Sequence, residues 1–183
     1  MTGYVIKGNE SNDKYDKALI IVDMQNGFMN EYTKDLGTKI IELLDEFDGL
    51  KVALQFRNED DSQFERKLHY NGMKRDDEID LIDGIKDRVH FVKARNRCSY
   101  SGFEVWMSLL LKTREVKEVF IAGVDTDACV LATAFNLFDA EYDIKLLVDY
   151  CGSSGGQLYH DYAIELMKRN FGEGSIVYGD YKE

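Results

Sequence analysis

Proline is missing from all 183 residues. Any cis peptide in the folded chain must therefore be the rarer and costlier kind that does not involve proline. Cysteine is scarce and odd in number: Cys98, Cys129 and Cys151, with no C-x-x-C spacing among them. That excludes a disulfide framework and a zinc knuckle, and it fits free thiols in a reducing compartment. No stretch approaches the roughly 18 consecutive apolar residues of a membrane span, so a transmembrane helix is not expected. The opening residues, "MTGYVIKGNESNDKYDK", lack the apolar core of an export signal, and a cytoplasmic location is the expectation. Basic residues are in short supply, 23 Lys and Arg against 34 Asp and Glu, for a net charge of −11. Nucleic-acid affinity rests on Lys and Arg displacing counterions from phosphates, so a nucleic-acid partner is excluded from the expectation as well.

What is present is globular. The length suits one domain, residues 1–183, and the hydrophobic fraction of 44% suffices for a full core. Short apolar runs at 17–23, 51–56, 88–93, 118–124, 143–149 and 175–179 read as six strands. The first, fourth and fifth are apolar almost throughout, as in strands buried on both faces of a parallel sheet. Between strands, "TKIIELLDEFDG", "GFEVWMSLLLKTR", "ACVLATAFNLFDA" and "LYHDYAIELMKRNFG" carry helical spacing, the last closing on a glycine C-cap. The alternation predicts a three-layer α/β/α fold around a mostly parallel six-stranded sheet. Residues 57–87 form the one long polar insertion, read as loop and short helix near the site.

In open parallel sheets, ligands bind beyond the carboxyl ends of the strands, close to where the strand order reverses. Three chemically capable residues stand at such positions: Asp23 ends the first strand, Lys93 ends the third, and Cys129 opens the helix after the fourth. Singly, each has a structural reading: Asp23 as a turn carboxylate before "MQNGF", Lys93 as a surface lysine, Cys129 as a packing thiol. Together they make chemical sense. A thiol in the first helical turn faces unpaired N–H groups and the positive end of the dipole, which favour a thiolate. A carboxylate of pKa about 3.9 is a weak base towards a thiol of about 8.5. Burial raising the acid and the helix lowering the thiol would narrow that gap, and an ammonium between them would hold both anions. Asp127, two residues before the cysteine, reads as the helix cap.

These residues lie in three segments, "ALIIVDMQNGF", "FVKARNRCSYSGFE" and "AGVDTDACVLATA". In that order, on this α/β pattern, the chain resembles the isochorismatase-like cysteine hydrolase superfamily, which includes nicotinamidases and related small-amide hydrolases. The resemblance runs over nearly the whole chain and implies a Rossmann-type sheet. It implies Cys129 as nucleophile, Asp23 as general acid/base and Lys93 as electrostatic partner. It further implies a cis peptide between Val124 and Asp125, with the N–H groups of Asp125 and Cys129 forming an oxyanion hole. The implied reaction is hydrolysis of a small amide or related C–N bond through a thioester, without a cofactor. Phe28, Arg57, Asn58, Tyr100 and Phe103 are the candidate pocket residues. Members of the superfamily commonly assemble, so a homo-oligomer is expected, with the helix around Trp106 as a contributor.

One departure from the nicotinamidases stands out: they carry an Asp-x-His metal site after the second strand, where this chain reads "LQFRNEDDSQFERKLHY". His69 is the single histidine there, and the acidic residues Glu59, Asp60 and Asp61 read as solvated, so no metal is expected. "QFRN" resembles a metal-free branch instead. His160, Cys98 and Cys151 read as structural, and Ser153 and Ser154 sit in "CGSSGG", a loop composition that does not form G-x-S-x-G. Two rival readings remain: vinyl-ether hydrolysis of the isochorismatase type, which does not need the cysteine, and a non-catalytic member of the fold.

Overall fold

The apolar runs become strands because each has apolar side chains to give to both faces of one sheet. The computed structural model describes residues 5–7, 12–95 and 97–181. Strands β2 (Lys17–Val22), β3 (Leu50–Gln55), β4 (Phe91–Ala94), β5 (Glu118–Val124), β6 (Asp143–Gly152) and β7 (Ile176–Val177) run parallel, as the sequence predicts. A further strand, β1 (Val5–Lys7), pairs antiparallel with β4 at the edge and lies in the opening stretch, where the sequence analysis places no strand. The sheet order is β1-β4-β3-β2-β5-β6-β7.

Alternation along the strands separates two cores. Ala18, Ile20 and Val22 of β2 face one side, with α5 (Val105–Thr113), α6 (Leu131–Asp139) and α7 (Gln157–Phe171) packed over them. Leu19 and Ile21 face the other, under α1 (Leu36–Glu46) and α4 (Ile85–Arg88). Trp106 sits half-buried, edge-on to Phe91 at 5.7 Å, so it faces the core under α5, α6 and α7. The insertion after β3 holds three short helices, α2 (Gln63–Leu68), α3 (Asp76–Ile79) and α4. No helix among the described residues is long and apolar enough to cross a membrane.

Strand order reverses between β2 and β5, which are neighbours in register from Lys17 opposite Glu118 to Val22 opposite Gly123. Their carboxyl ends therefore open a crevice at the switch point. Gly123 makes the close approach possible: its φ is +118°, and a Cβ there would lie 2.1 Å from the Val22 carbonyl oxygen. The peptide that follows, Val124–Asp125, is cis.

Candidate active site

Asp23 follows β2 directly and leaves it through a left-handed backbone, φ 50°, which turns its side chain into the crevice. It is fully buried. Across the crevice, β5 runs through the cis peptide into a π-helical turn, Thr126–Val130, which carries Cys129 to the floor of a cleft and continues as α6. In this turn the Ala128 and Val130 N–H groups both donate to the Asp125 carbonyl, each at 3.0 Å. Asp127 does not cap it: its Oδ1 is buried and takes no donor, whereas the Asp125 carboxylate accepts from Ser154 N and Oγ, both at 2.7 Å.

The cation brought to this pair is Arg95, not Lys93. Arg95 Nη2 donates to Asp23 Oδ2 at 2.5 Å, and Nη1 reaches Cys129 Sγ at 3.8 Å and the Ser99 carbonyl at 3.0 Å. Its guanidinium lies 5.5 Å from the Phe56 ring centroid. Lys93 Nζ instead donates to the Ala94 carbonyl at 2.7 Å and stands 6.0 Å from the Trp106 ring. Burial lowers its pKa, and Glu104 opposes that. By register Lys93 lies beside Leu54, level with Val22 at the end of β2, whereas Arg95 stands two residues further on, past the end of β4, where it reaches Asp23 and Cys129.

Burial dominates the protonation of this group. It raises the Asp23 carboxyl above the usual range, against Arg95 and the Cys129 hydrogen bond, which lower it. Burial also pushes the Cys129 thiol well above its ordinary value, with the Asp23 charge adding to the rise and Arg95 opposing it. Loss of hydration thus works against the helix-lowered thiol that the sequence suggests, and Arg95 works against burial at both groups. Arg95 occupies Asp23 Oδ2 and leaves Oδ1 without a donor from the rest of the described chain, with the Cys129 thiol beside the carboxylate. That oxygen is the natural landing place for the thiol proton.

The cleft above Cys129 measures about 430 Å³. Phe28 and Tyr100 line it, with Phe56, Phe64, Leu68 and Tyr70, which the sequence did not single out. Its polar edge is Asn30, Asp125 and Ser154, and among the described residues no Lys or Arg contributes to the wall. Burial pushes the Tyr70 hydroxyl up to about 12. Three expected pocket residues lie elsewhere. Arg57 turns to Asp76 at 2.5 Å and lines a separate surface groove. Asn58 ties the insertion together, donating to the Tyr70 and Gly72 carbonyls at 2.9 and 3.1 Å. Phe103 packs in the core against Tyr142. Cys98 and Cys151 are free thiols, and burial takes Cys151 to about 12.

The acidic loop does not fit a metal ion. Asp60 pairs with Lys74 at 2.8 Å and Asp61 with Arg66 at 2.7 Å. Among the described residues no group of three or more His, Cys, Asp or Glu is placed to hold one.

Residues 17–175 match the family model described as "Isochorismatase domain". A curated relative, isochorismatase domain-containing protein 2 of Xenopus laevis, is 30% identical over 56 residues, 31% of this chain and 27% of its own length. The chain therefore spans only about a quarter of that relative. Among solved structures, the zinc-complexed pyrazinamidase of Pyrococcus horikoshii matches with a TM-score of 0.74 at 23% identity, over 91% of this chain and 99% of that one. The nicotinamidase/pyrazinamidase of Bacillus subtilis gives 0.73 at 22%, over 88% and 99%. The N-carbamoylsarcosine amidase of Thermoplasma acidophilum gives 0.71 at 24%, over 92% and 98%. At these identities the structural likeness speaks for the fold.

Proposed function

The chain belongs to the isochorismatase family, and from that premise we propose that it is a cysteine hydrolase cleaving a small, uncharged amide through a thioester on Cys129. The observation that carries this reading is the buried set Asp23, Arg95 and Cys129 at the floor of an apolar cleft. As Sγ attacks the amide carbonyl, its proton passes to Asp23, whose burial-raised basicity suits it to receive one. Arg95 keeps net charge in the site balanced and stabilises the thiolate as it forms. The N–H groups of Asp125 and Cys129 are assigned to the developing oxyanion, a role in which one donor is worth about 3 kcal/mol. Asp23 then gives the proton to the departing amine. Water attacks the thioester, with Asp23 taking its proton and Cys129 Sγ regaining one as the acid is released.

The cleft wall argues for substrate class. Aromatic rings and Leu68 offer stacking and apolar contact, and a carboxylate-bearing substrate would meet no cation there. Pyrazinamide and nicotinamide, the amides implied by two neighbours' names, are flat and uncharged; an N-carbamoyl amino acid is not. Assembly into a homo-oligomer remains part of the proposal, with Val105 and Leu109 as the exposed apolar residues of α5.

Ammonia release from a panel of neutral aromatic carboxamides, with rapid-quench intact-mass measurement, tests the reading. An acyl adduct mapping to Cys129, and loss of turnover in Cys129→Ala, are expected. Undiminished ammonia release in Cys129→Ala would overturn the thioester on Cys129. No reaction with any amide, and no adduct, would favour a non-catalytic member of the fold.

A further inference from the structure

The turn that carries Cys129 is held from outside by one imidazole. His160 Nδ1 and Thr126 Oγ1 stand 2.8 Å apart, with Thr126 fully buried and His160 nine-tenths buried. Thr126 lies between the cis peptide and the nucleophile, and His160 lies in the first turn of α7. We propose that His160 is a positioning residue for the nucleophile: through Thr126 it fixes the π-helical turn that sets the place of Cys129 Sγ. The inference rests on the reading of Cys129 as nucleophile.

A π-helical turn is a rare departure from the α-helix, and a segment keeps it only where its surroundings hold it. Cys129 and Val130 are packed into the core, and two side chains from outside hold the residues that open the turn. Ser154 grips the Asp125 carboxylate, and His160 grips the next residue along. Without the second grip, the segment can relax toward regular helix and carry Sγ away from Asp23 and Arg95. A shift of about 1 Å in a reacting atom costs on the order of 10²-fold in rate. Val148, Cys151, His160 and Ile164 belong to the wall of a second cleft of about 540 Å³, between α1 and α7. His160 Nε2 has no partner among the described residues, and water or a small solute can approach the ring from that side. The charged groups around it are Asp161 on α7, Asp149 on β6 and Asp127 in the turn, with Asp35 and Lys39 of the α1 side and Glu165 of α7 on the same cleft. Burial outweighs the three nearest carboxylates and holds the ring toward its neutral form, in which it pairs with a hydroxyl.

The test measures iodoacetamide labelling of Cys129 by peptide mapping, with Cys98, which lies outside the second cleft, as the internal control, beside the thermal midpoint of each variant. Thr126→Val keeps the shape and removes the hydroxyl, and Thr126→Ser keeps the hydroxyl. Labelling of Cys129 is expected to fall about tenfold or more in Thr126→Val and His160→Ala, and to stay near wild type in Thr126→Ser. Free imidazole, entering through the second cleft, is expected to restore labelling in His160→Ala and not in Thr126→Val. Wild-type rates in both damaging variants would overturn the proposal. So would losses that follow the unfolded fraction and ignore imidazole, since these mark a merely structural histidine. If Cys129 in the wild type labels no faster than Cys98, the nucleophile reading itself fails, a different outcome from either.

Discussion

Arg95 and Asp23 are an ion pair with no water around it: their side chains are 1% and 0% exposed. Such a pair costs several kcal/mol per ion in lost hydration, and removing one partner strands the other. Arg95→Met is expected to cost about 3–5 kcal/mol of stability and to lower kcat/KM by at least about 10²-fold, because Asp23 then retains its proton and cannot take the thiol's. Lys93→Met should change turnover only a few-fold. Denaturant melts and steady-state kinetics on both variants check this, and the reverse ranking would return the cationic role to Lys93. Arg95→Lys should fall between, since an ammonium cannot serve Asp23, Cys129 and the Ser99 carbonyl with one rigid fork. Asp23 was legible because it directly follows an apolar strand, and Cys129 because it opens the helical pattern after one, each within a recognisable segment. Arg95 was not, because the reading ended that strand at Lys93, whereas β4 continues to Ala94 and carries the site one register step further.

The strands were readable from apolar runs and the long helices from their spacing, but their ends moved where tertiary contacts decide. Arg88, read as opening a strand, closes α4, and the stretch read as one helix from Ala128 is a π-helical turn followed by α6. The aromatic lining was hidden because Phe64, Leu68 and Tyr70 come from an insertion with no sustained period, where nothing local shows which side faces the cleft. The junction of β2 and β5 gives the clearest prediction for an element. In Gly123→Ala the new Cβ meets backbone at 2.1 Å, in a conformation disfavoured for side chains. The expected loss is about 3 kcal/mol or more. Gly174→Ala, whose Cβ has nothing within 4 Å, should stay within about 0.5 kcal/mol of the wild type. Chemical denaturation of the two variants decides, and equal stabilities would show that β2 and β5 can separate without penalty.

Across the molecule, the histidine that bears on acid stability and the proposed reaction centre lie at opposite ends of the sheet. His90 lies just before β4, away from the strand ends that hold the site, and its Nδ1 accepts the Lys51 N–H at 3.0 Å. Burial lowers its pKa, helped by Lys51, Lys7 and Arg114. A histidine whose folded pKa lies below its unfolded value of about 6.5 contributes stability above that pH and loses it as the pH falls through the folded value. Asp23, raised by burial, works in the opposite sense, but it is common to wild type and variant. Wild type is therefore expected to lose more stability than His90→Gln between about pH 7.5 and pH 5. Parallel denaturant curves at the two pH values would count against it. Asn58 donates its backbone N–H to the Met73 carbonyl at 2.9 Å, and its side chain holds Tyr70 and Gly72, so the excursion between 58 and 73 is closed at its base. On the proposed reading, bond-breaking chemistry belongs to the strand ends and the cysteine turn, whereas Phe64, Leu68 and Tyr70 of the cleft wall belong to this closed excursion. The two can be exchanged separately: a library confined to residues 59–72 would vary selectivity over an unaltered reaction centre, and a graft of that segment into a related scaffold would carry its preference with it.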